Sequence, residues 1–300
     1  MSQLMTALSK NHEVRIYITN TTEVVERARE LHDLSPVSCA AFGRVLTGAL
    51  IMGMMSKIEK EKVTLQIKGD GEIKHIVAVA DIHGHVKGYL SNPLAETHVN
   101  DLGKLDVGKA IGKNGEVIVI RDWGMKDPFV GRSELVSGEI AEDLAAFFAK
   151  SEQMPSAVGL GEQLDPTGFV KHAGGFIVQL LPEASEETIT QLEANLNGVD
   201  SVTRMFEQGM DIHMIANQLF AGLGLEELEM YDVSYTCDCH EDKMKQALMS
   251  IGKSELETIM AEDGQAELIC HFCNHKYLFD KAALEEMIAT LSKDLIEIEE

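Results

Sequence analysis

Four of the chain's five cysteines stand in two short pieces near its C-terminal end: Cys237 and Cys239 in "YTCDCHEDK", Cys270 and Cys273 in "ELICHFCNHKY". No other feature restricts the possible folds as much. The pattern is C-x-C, thirty intervening residues, then C-x-x-C. A C-x-x-C on a hairpin turn aims both sulfurs at one point, and a pair from a distant loop completes a tetrahedron. Four thiolates suit Zn²⁺ with no open coordination position, so a four-cysteine zinc site without hydrolytic chemistry is expected. Four merely buried small residues would not explain two tight pairs in a cysteine-poor chain. His240, His271 and His275 lie close by as possible substitute ligands, but the four thiolates already fill the shell. An odd, clustered set of cysteines is unlike a secreted disulfide framework and suits a reducing compartment.

The module around these pairs is small, and burial alone is marginal below roughly 70 residues. Zinc-finger peptides gain about 10–16 kcal/mol on binding metal at neutral pH. The metal is therefore expected to supply most of this module's stability. Metal-bound thiolates are already deprotonated and nucleophilic toward peroxide or hypochlorous acid. Cys270 and Cys273 are spaced for a small-loop disulfide; Cys237 and Cys239 could close a tighter, more strained ring. Each bond would remove two ligands. Spacing by itself separates neither switch from staple nor one pairing from another.

Ahead of the cysteines, strand and helix signals alternate. Val14, Ile16 and Ile18 alternate as in a half-buried strand; helices are expected over Thr22–Leu34 and, after Pro36, through "VSCAAFGRVLTGALIMGMM". "KVTLQIKGDGEIKHIVAVADIHGHVKGYL" reads as successive strands with glycine turns, "EVIVIRD" as another strand, and "GEIAEDLAAFFAK" as a helix with Ile140, Leu144, Phe147 and Phe148 on one face. "PSAVGLGEQLDPTGFVKHAGGFIVQLLP" reads as a hairpin turning at Asp165–Gly168, with a bulge at Gly174 and Gly175. Residues 1–182 thus form one α+β domain. Residues 183–230 read as four short amphipathic helices, the last in "GLEELEMYD", none long enough to stand alone in water. Their apolar faces, Ile189, Leu192, Leu196, Val202, Met205, Phe206, Ile212, Ile215, Leu219 and Phe220, need a neighbour to cover them. Residues 231–300 form the zinc module: two short helices, two strands around the C-x-x-C turn, and a closing helix capped by Asp280. The expected fold class is α+β: core domain, helical linker and small four-cysteine zinc domain.

Charge narrows the function further. The net charge is −23; residues 1–182 hold 23 acids against 19 bases, 183–230 hold 10 acids and Arg204, and 231–300 hold 16 acids against 6 bases. Nucleic-acid binding depends on neutralising phosphates, so no nucleic-acid partner is expected. The N-terminus lacks the marks of a signal peptide, and the longest apolar run, Val45 to Met55, is about half of what spans a bilayer. A cytoplasmic protein without membrane attachment is the expectation. "DIHGH" offers Asp81, His83 and His85, which strand alternation and a turn explain better than a metal. Cys39, among Ala40, Ala41 and Phe42, reads as a buried small residue. The competing classes are a zinc-ribbon module for nucleic acid or protein, and a thiol-disulfide oxidoreductase using Cys270 and Cys273.

Together with the cysteine pattern, "SPVSCAAFGRVLTGALIMGMMSK", "VSGEIAEDLAAFFAKSEQMPSAVGLG" and "AGGFIVQLLPEA" closely resemble the bacterial redox-regulated 33 kDa heat-shock chaperone family. The resemblance runs over essentially the whole chain, in the order core, linker, zinc module. It implies an ATP-independent holdase of the oxidative-stress response, not an enzyme, inactive while reduced and zinc-bound. It further implies that oxidation forms the disulfides Cys237–Cys239 and Cys270–Cys273 and releases zinc. Zinc module and linker then unfold, exposing surface that captures unfolding client proteins, and the activated form is a homodimer.

Overall fold

The computed structural model describes residues 2–101, 103–125 and 127–299, with side chains as far as residue 292. The chain divides into two compact units, Met1–Thr236 and Cys237–Glu300. The first begins with β1 (Gln3–Ser9), β2 (Val14–Asn20), α1 (Thr22–His32) and α2 (Pro36–Met54). It continues through β3 (Lys62–Lys68), β4 (His75–Asp81), β5 (His85–Leu90), α3 (Val107–Ile111), β6 (Glu116–Asp122), β7 (Phe129–Glu134) and α4 (Ala141–Lys150). β8 (Ser156–Leu164) and β9 (Val170–Leu180) precede α5 (Glu186–Asn197), α6 (Val202–Glu207), α7 (Ile212–Leu219), β10 (Leu225–Asp232) and β11 (Ser234–Tyr235). The strands make two sheets, ordered β10-β1-β2-β9-β8 and β11-β5-β4-β3-β6-β7. The fold is α+β, as expected.

α2 organises this unit. It packs against strands of both sheets, and every residue in it except Pro36 and Arg44 is buried. A helix enclosed from both sides has no face for polar residues, which explains a sequence apolar all round. Its start is set by Ser35, whose side chain accepts the Ser38 N–H, and by Pro36 in the first turn. The helix reaches well upstream of Val45 and by length and composition could cross a bilayer, but 94% of its apolar window is buried inside the protein. It is a core helix.

The five-stranded sheet is covered on both faces. Leu4, Tyr17, Ala173 and Ile177 face the core around α2, while Met5, Ile16, Ile18, Phe176 and Val178 face α5, α6 and α7. β2 is therefore buried on both sides, not half-buried as its alternation suggests. Most of the linker face read from the sequence lands in this second cluster: Leu192, Val202, Met205, Phe206, Ile212, Ile215, Leu219 and Phe220 are buried there, with Leu196 at its edge, while Ile189 is half-buried outside it. Ser185 and Asp211 cap α5 and α7 by accepting the Thr188 and Met214 N–H groups.

Two local expectations fail. "GLEELEMYD" is not a helix but β10, antiparallel to β1 with a register shift between Thr6 and Ala7. Leu, Glu and Met prefer helix, but the open edge of β1 offers a ladder of backbone hydrogen bonds that overrides propensity. Gly174 and Gly175 form no bulge: they pair in register with Asn20 and Thr19, and the irregularity lies at Gln163/Leu164. Their reason is close approach, since a Cβ on Gly174 would lie 2.4 Å from the Thr19 carbonyl oxygen of β2 and 2.7 Å from the Phe206 ring of α6, and one on Gly175 2.5 Å from Leu160.

The second unit holds α8 (Glu241–Met249), α9 (Lys253–Glu262), β12 (Ala266–Ile269), β13 (Lys276–Phe279) and α10 (Lys281–Glu299). Its core is Leu248, Leu256, Ala266, Phe279, Leu284 and Met287. Asp280 caps α10, its carboxylate accepting the Ala283 N–H at 2.9 Å. Among the described residues this is a small core, which leaves room for a further source of stability.

Candidate metal centre

β12 and β13 pair antiparallel from Ala266↔Phe279 to Ile269↔Lys276, and the turn between them carries Cys270 and Cys273. The Cys270 N–H donates to the His275 carbonyl (3.0 Å), while the Cys270 carbonyl accepts from Cys273 (3.3 Å) and Asn274 (2.8 Å). Asn274 takes a left-handed conformation, φ 55°, which asparagine tolerates. The chain thereby doubles back and both sulfurs project to one side. Cys237 and Cys239 lie in the extended segment leading into α8. There His240 is the N-cap, its Nδ1 accepting the Lys243 N–H at 3.4 Å, and Lys243 Nζ reaches Asp238 at 3.3 Å.

The four sulfurs converge. Cys237 and Cys270 Sγ are 3.7 Å apart, Cys239 and Cys273 Sγ 3.4 Å, and all four lie within 4.8 Å of one another. A zinc–sulfur bond of about 2.3 Å in a tetrahedron demands sulfur–sulfur edges of about 3.8 Å. Donor type, number and spacing all fit a tetrahedral thiophilic cation. No histidine belongs to the cluster among the described residues; His240 is committed to its cap, and the His275 ring packs edge-on to Tyr277 at 4.6 Å. Each of the two short sulfur–sulfur approaches joins one pair to the other. That is what one tetrahedron produces, and it leaves the choice of disulfide partners open.

As titrating groups the thiols differ. Burial pushes Cys237 up and Cys273 up to about 11. For Cys239 burial acts in the same direction but is outweighed by hydrogen bonds, first from the Tyr277 hydroxyl and then from neighbouring thiols, so its pKa is lowered. The Tyr277 hydroxyl donates to Cys239 Sγ at 3.1 Å. Sequence reasoning missed this residue. Its signal is the position of Tyr277 one step from Phe279 on the inward face of β13.

Elsewhere, Cys39 is fully buried and its thiol is pushed up by burial, as suits an inert core residue. Asp81 Oδ1 accepts the N–H groups of His83 and His85, so "DIHGH" is a turn. Glu72, Glu96 and His98 also lie within metal-ligating distance, but on the surface, where Glu72 already accepts the Glu96 N–H at 2.8 Å.

Comparison with known proteins identifies the lineage. The model of the Hsp33 protein family matches residues 2–280, a span that includes all four cysteines. The chain belongs to the Hsp33 family. Among curated Hsp33 relatives, the 33 kDa chaperonin of Alkaliphilus metalliredigens (strain QYMF) is 45% identical over 287 residues, covering 96% of this chain and 98% of its own. That of Thermoanaerobacter sp. (strain X514) is 44% identical over 95% of this chain and 97% of its own. The crystal structure of the 33 kDa chaperonin from Thermotoga maritima superposes with a TM-score of 0.90 at 39% identity, covering 96% of this chain and 98% of that one.

Proposed function

We propose that this Hsp33 chain is a redox-regulated, ATP-independent holdase whose activity is capture of unfolding client proteins, without catalytic turnover. In the reduced state Cys237, Cys239, Cys270 and Cys273 hold one Zn²⁺. When bound, the cation ties the C-x-C segment and the C-x-x-C turn into one shell and neutralises thiolates that would otherwise repel. Oxidation forms Cys237–Cys239 and Cys270–Cys273, which withdraws all four ligands so that the site no longer retains its metal. The module 231–300 then unfolds, followed by the linker 183–230, and the domain 1–182 presents its uncovered sheet face. The activated form is a homodimer, works in the cytoplasm, and uses neither nucleic acid nor membrane.

The observation that carries this reading is the convergence of four thiol sulfurs within 4.8 Å on a unit whose buried apolar core is small among the described residues. It is supported by the packing of Val202, Met205, Phe206, Ile215 and Leu219 over the sheet face formed by Ile16, Ile18 and Phe176. A cover of short helices, weak alone, hides a contiguous apolar surface. Zinc release, free thiols and suppression of a client's aggregation are followed together, with and without oxidant, at raised temperature. Expected is loss of zinc and four thiols together with gain of holdase activity, and peptide mapping that returns the two short-range disulfides. A reduced, zinc-loaded protein that holds clients as well as the oxidised one overturns the switch; disulfides joining the two pairs overturn the pairing.

A further inference from the structure

We propose that Tyr277 is a positioning residue that restrains the reactivity of one thiolate of the centre, Cys239, by hydrogen bonding to it. The proposal rests on the redox reading above and assigns a role to a residue outside the ligand set. Strand alternation sets the geometry. Tyr277 and Phe279 project to the same face of β13; Phe279 is 2% exposed in the core of the second unit, and the Tyr277 ring packs at the edge of that core. The ring is held laterally by His275 and by its pairing with Leu268 on β12. The hydroxyl therefore has a fixed reach, and at 3.1 Å it finds Cys239 Sγ. Tyr277 stands on the hairpin that carries Cys270 and Cys273, while Cys239 belongs to the other pair. The bond thus joins the two halves of the site independently of any cation.

A thiolate reacts with peroxide through a sulfur lone pair. That sulfur attacks one oxygen, the O–O bond breaks, and hydroxide leaves and is protonated to water, which makes a sulfenic acid. A second thiolate attacks this sulfur, forming S–S and expelling the remaining oxygen as hydroxide, also protonated to water. Two thiolates thereby supply two electrons and the peroxide becomes two waters. An O–H donor on sulfur engages the electron density that the first step needs, and the bond must be given up or weakened as the sulfur is oxidised. Tyr277 transfers no proton in this role. A net hydrogen bond of ordinary strength corresponds to about threefold to tenfold in rate.

The zinc-loaded full chain and its Y277F variant are treated with substoichiometric iodoacetamide, and labelling at each cysteine is resolved by mass spectrometry. Expected is a rise of about threefold to tenfold in the labelling rate of Cys239 relative to Cys273 in the same molecules, with faster zinc release under excess hydrogen peroxide. An unchanged ratio overturns the proposal, and so does a uniform rise at all four cysteines, which would mark loosened packing. Should Y277F fail to load zinc, 3-fluorotyrosine placed at 277 supplies a stronger donor. Labelling at Cys239 must then slow relative to Cys273, and no change overturns the proposal. A native chain that keeps zinc and thiols under peroxide at raised temperature refutes the redox reading, whereas the alkylation ratio still decides on Tyr277.

Discussion

Glu162 shows how much one buried carboxylate can impose on the core. Its side chain is 2% exposed and meets Arg44 Nε at 3.2 Å, while Arg44 also binds Glu139. Burial raises its pKa to about 7 against the attraction of Arg44, with Glu139 adding repulsion. The unfolded chain releases this proton near the ordinary glutamate value of 4.5. Between these values the native state binds more protons than the unfolded state, so stability falls as pH rises. The contribution is fully present below the unfolded pKa and is lost on passing through about 7. For E162Q, stability relative to the native chain should therefore rise by up to about 3 kcal/mol across this window. Urea titrations at pH 4.5, 6 and 7.5 measure it; a difference independent of pH would refute the burial argument. The carboxylate of Asp143 contrasts with it: fully buried, it accepts the N–H groups of Val136, Ser137, Gly138 and Ile140 and needs no cation.

At the scale of elements, α5, α6 and α7 stay folded because the sheet beneath them is shaped to receive them. Gly174 opens the space that the Phe206 ring occupies, and Phe206 is 6% exposed there. Gly174→Ala should destabilise by about 1–3 kcal/mol through overpacking against the Phe206 ring and the Thr19 carbonyl, loosening α6 and the β2–β9 pairing. Phe206→Ala should cost about 3 kcal/mol or more by leaving a cavity. Hydrogen exchange is the measurement: amides of α6 and α7 should lose protection in both variants while those of α2 keep theirs. Equal loss in α2 would mean that the linker and core unfold as one. On the redox reading, the same variants should hold clients at lower oxidant exposure. β10 adds a second weak point, since Glu226, Glu227 and Glu229 crowd one exposed edge strand, and the histidines beside two of them, His12 at Glu226 and His213 at Glu227, are themselves exposed.

At the scale of the whole molecule, the two units are built differently. The first has a large contiguous core around α2; the second has a small one and four convergent thiols. On the zinc reading, removing the metal with a strong chelator under reducing conditions should unfold Cys237–Glu300 while α2 and its two sheets persist. Circular dichroism and calorimetry check this: loss of the helices of the second unit is expected, and a second unit that keeps its unfolding temperature without metal overturns it. The binding energy at stake is about 10–16 kcal/mol by analogy with zinc-finger peptides, more than a core of this size supplies.

Much of this was legible in the residues. Spacing brought Cys237, Cys239, Cys270 and Cys273 forward as one site, and the apolar run after Pro36 announced α2. The short apolar faces of 183–230 showed that they needed cover. These are local properties: thiol chemistry, helical period and chain entropy belong to a segment wherever it lies. What covers the linker, why Gly174 is a glycine, that "LEELEMYD" is a strand, and that Tyr277 reaches Cys239 depend on partners far away in the sequence. Such contacts follow from packing between elements, whose shapes and registers no single segment encodes, so only the tertiary structure decided them.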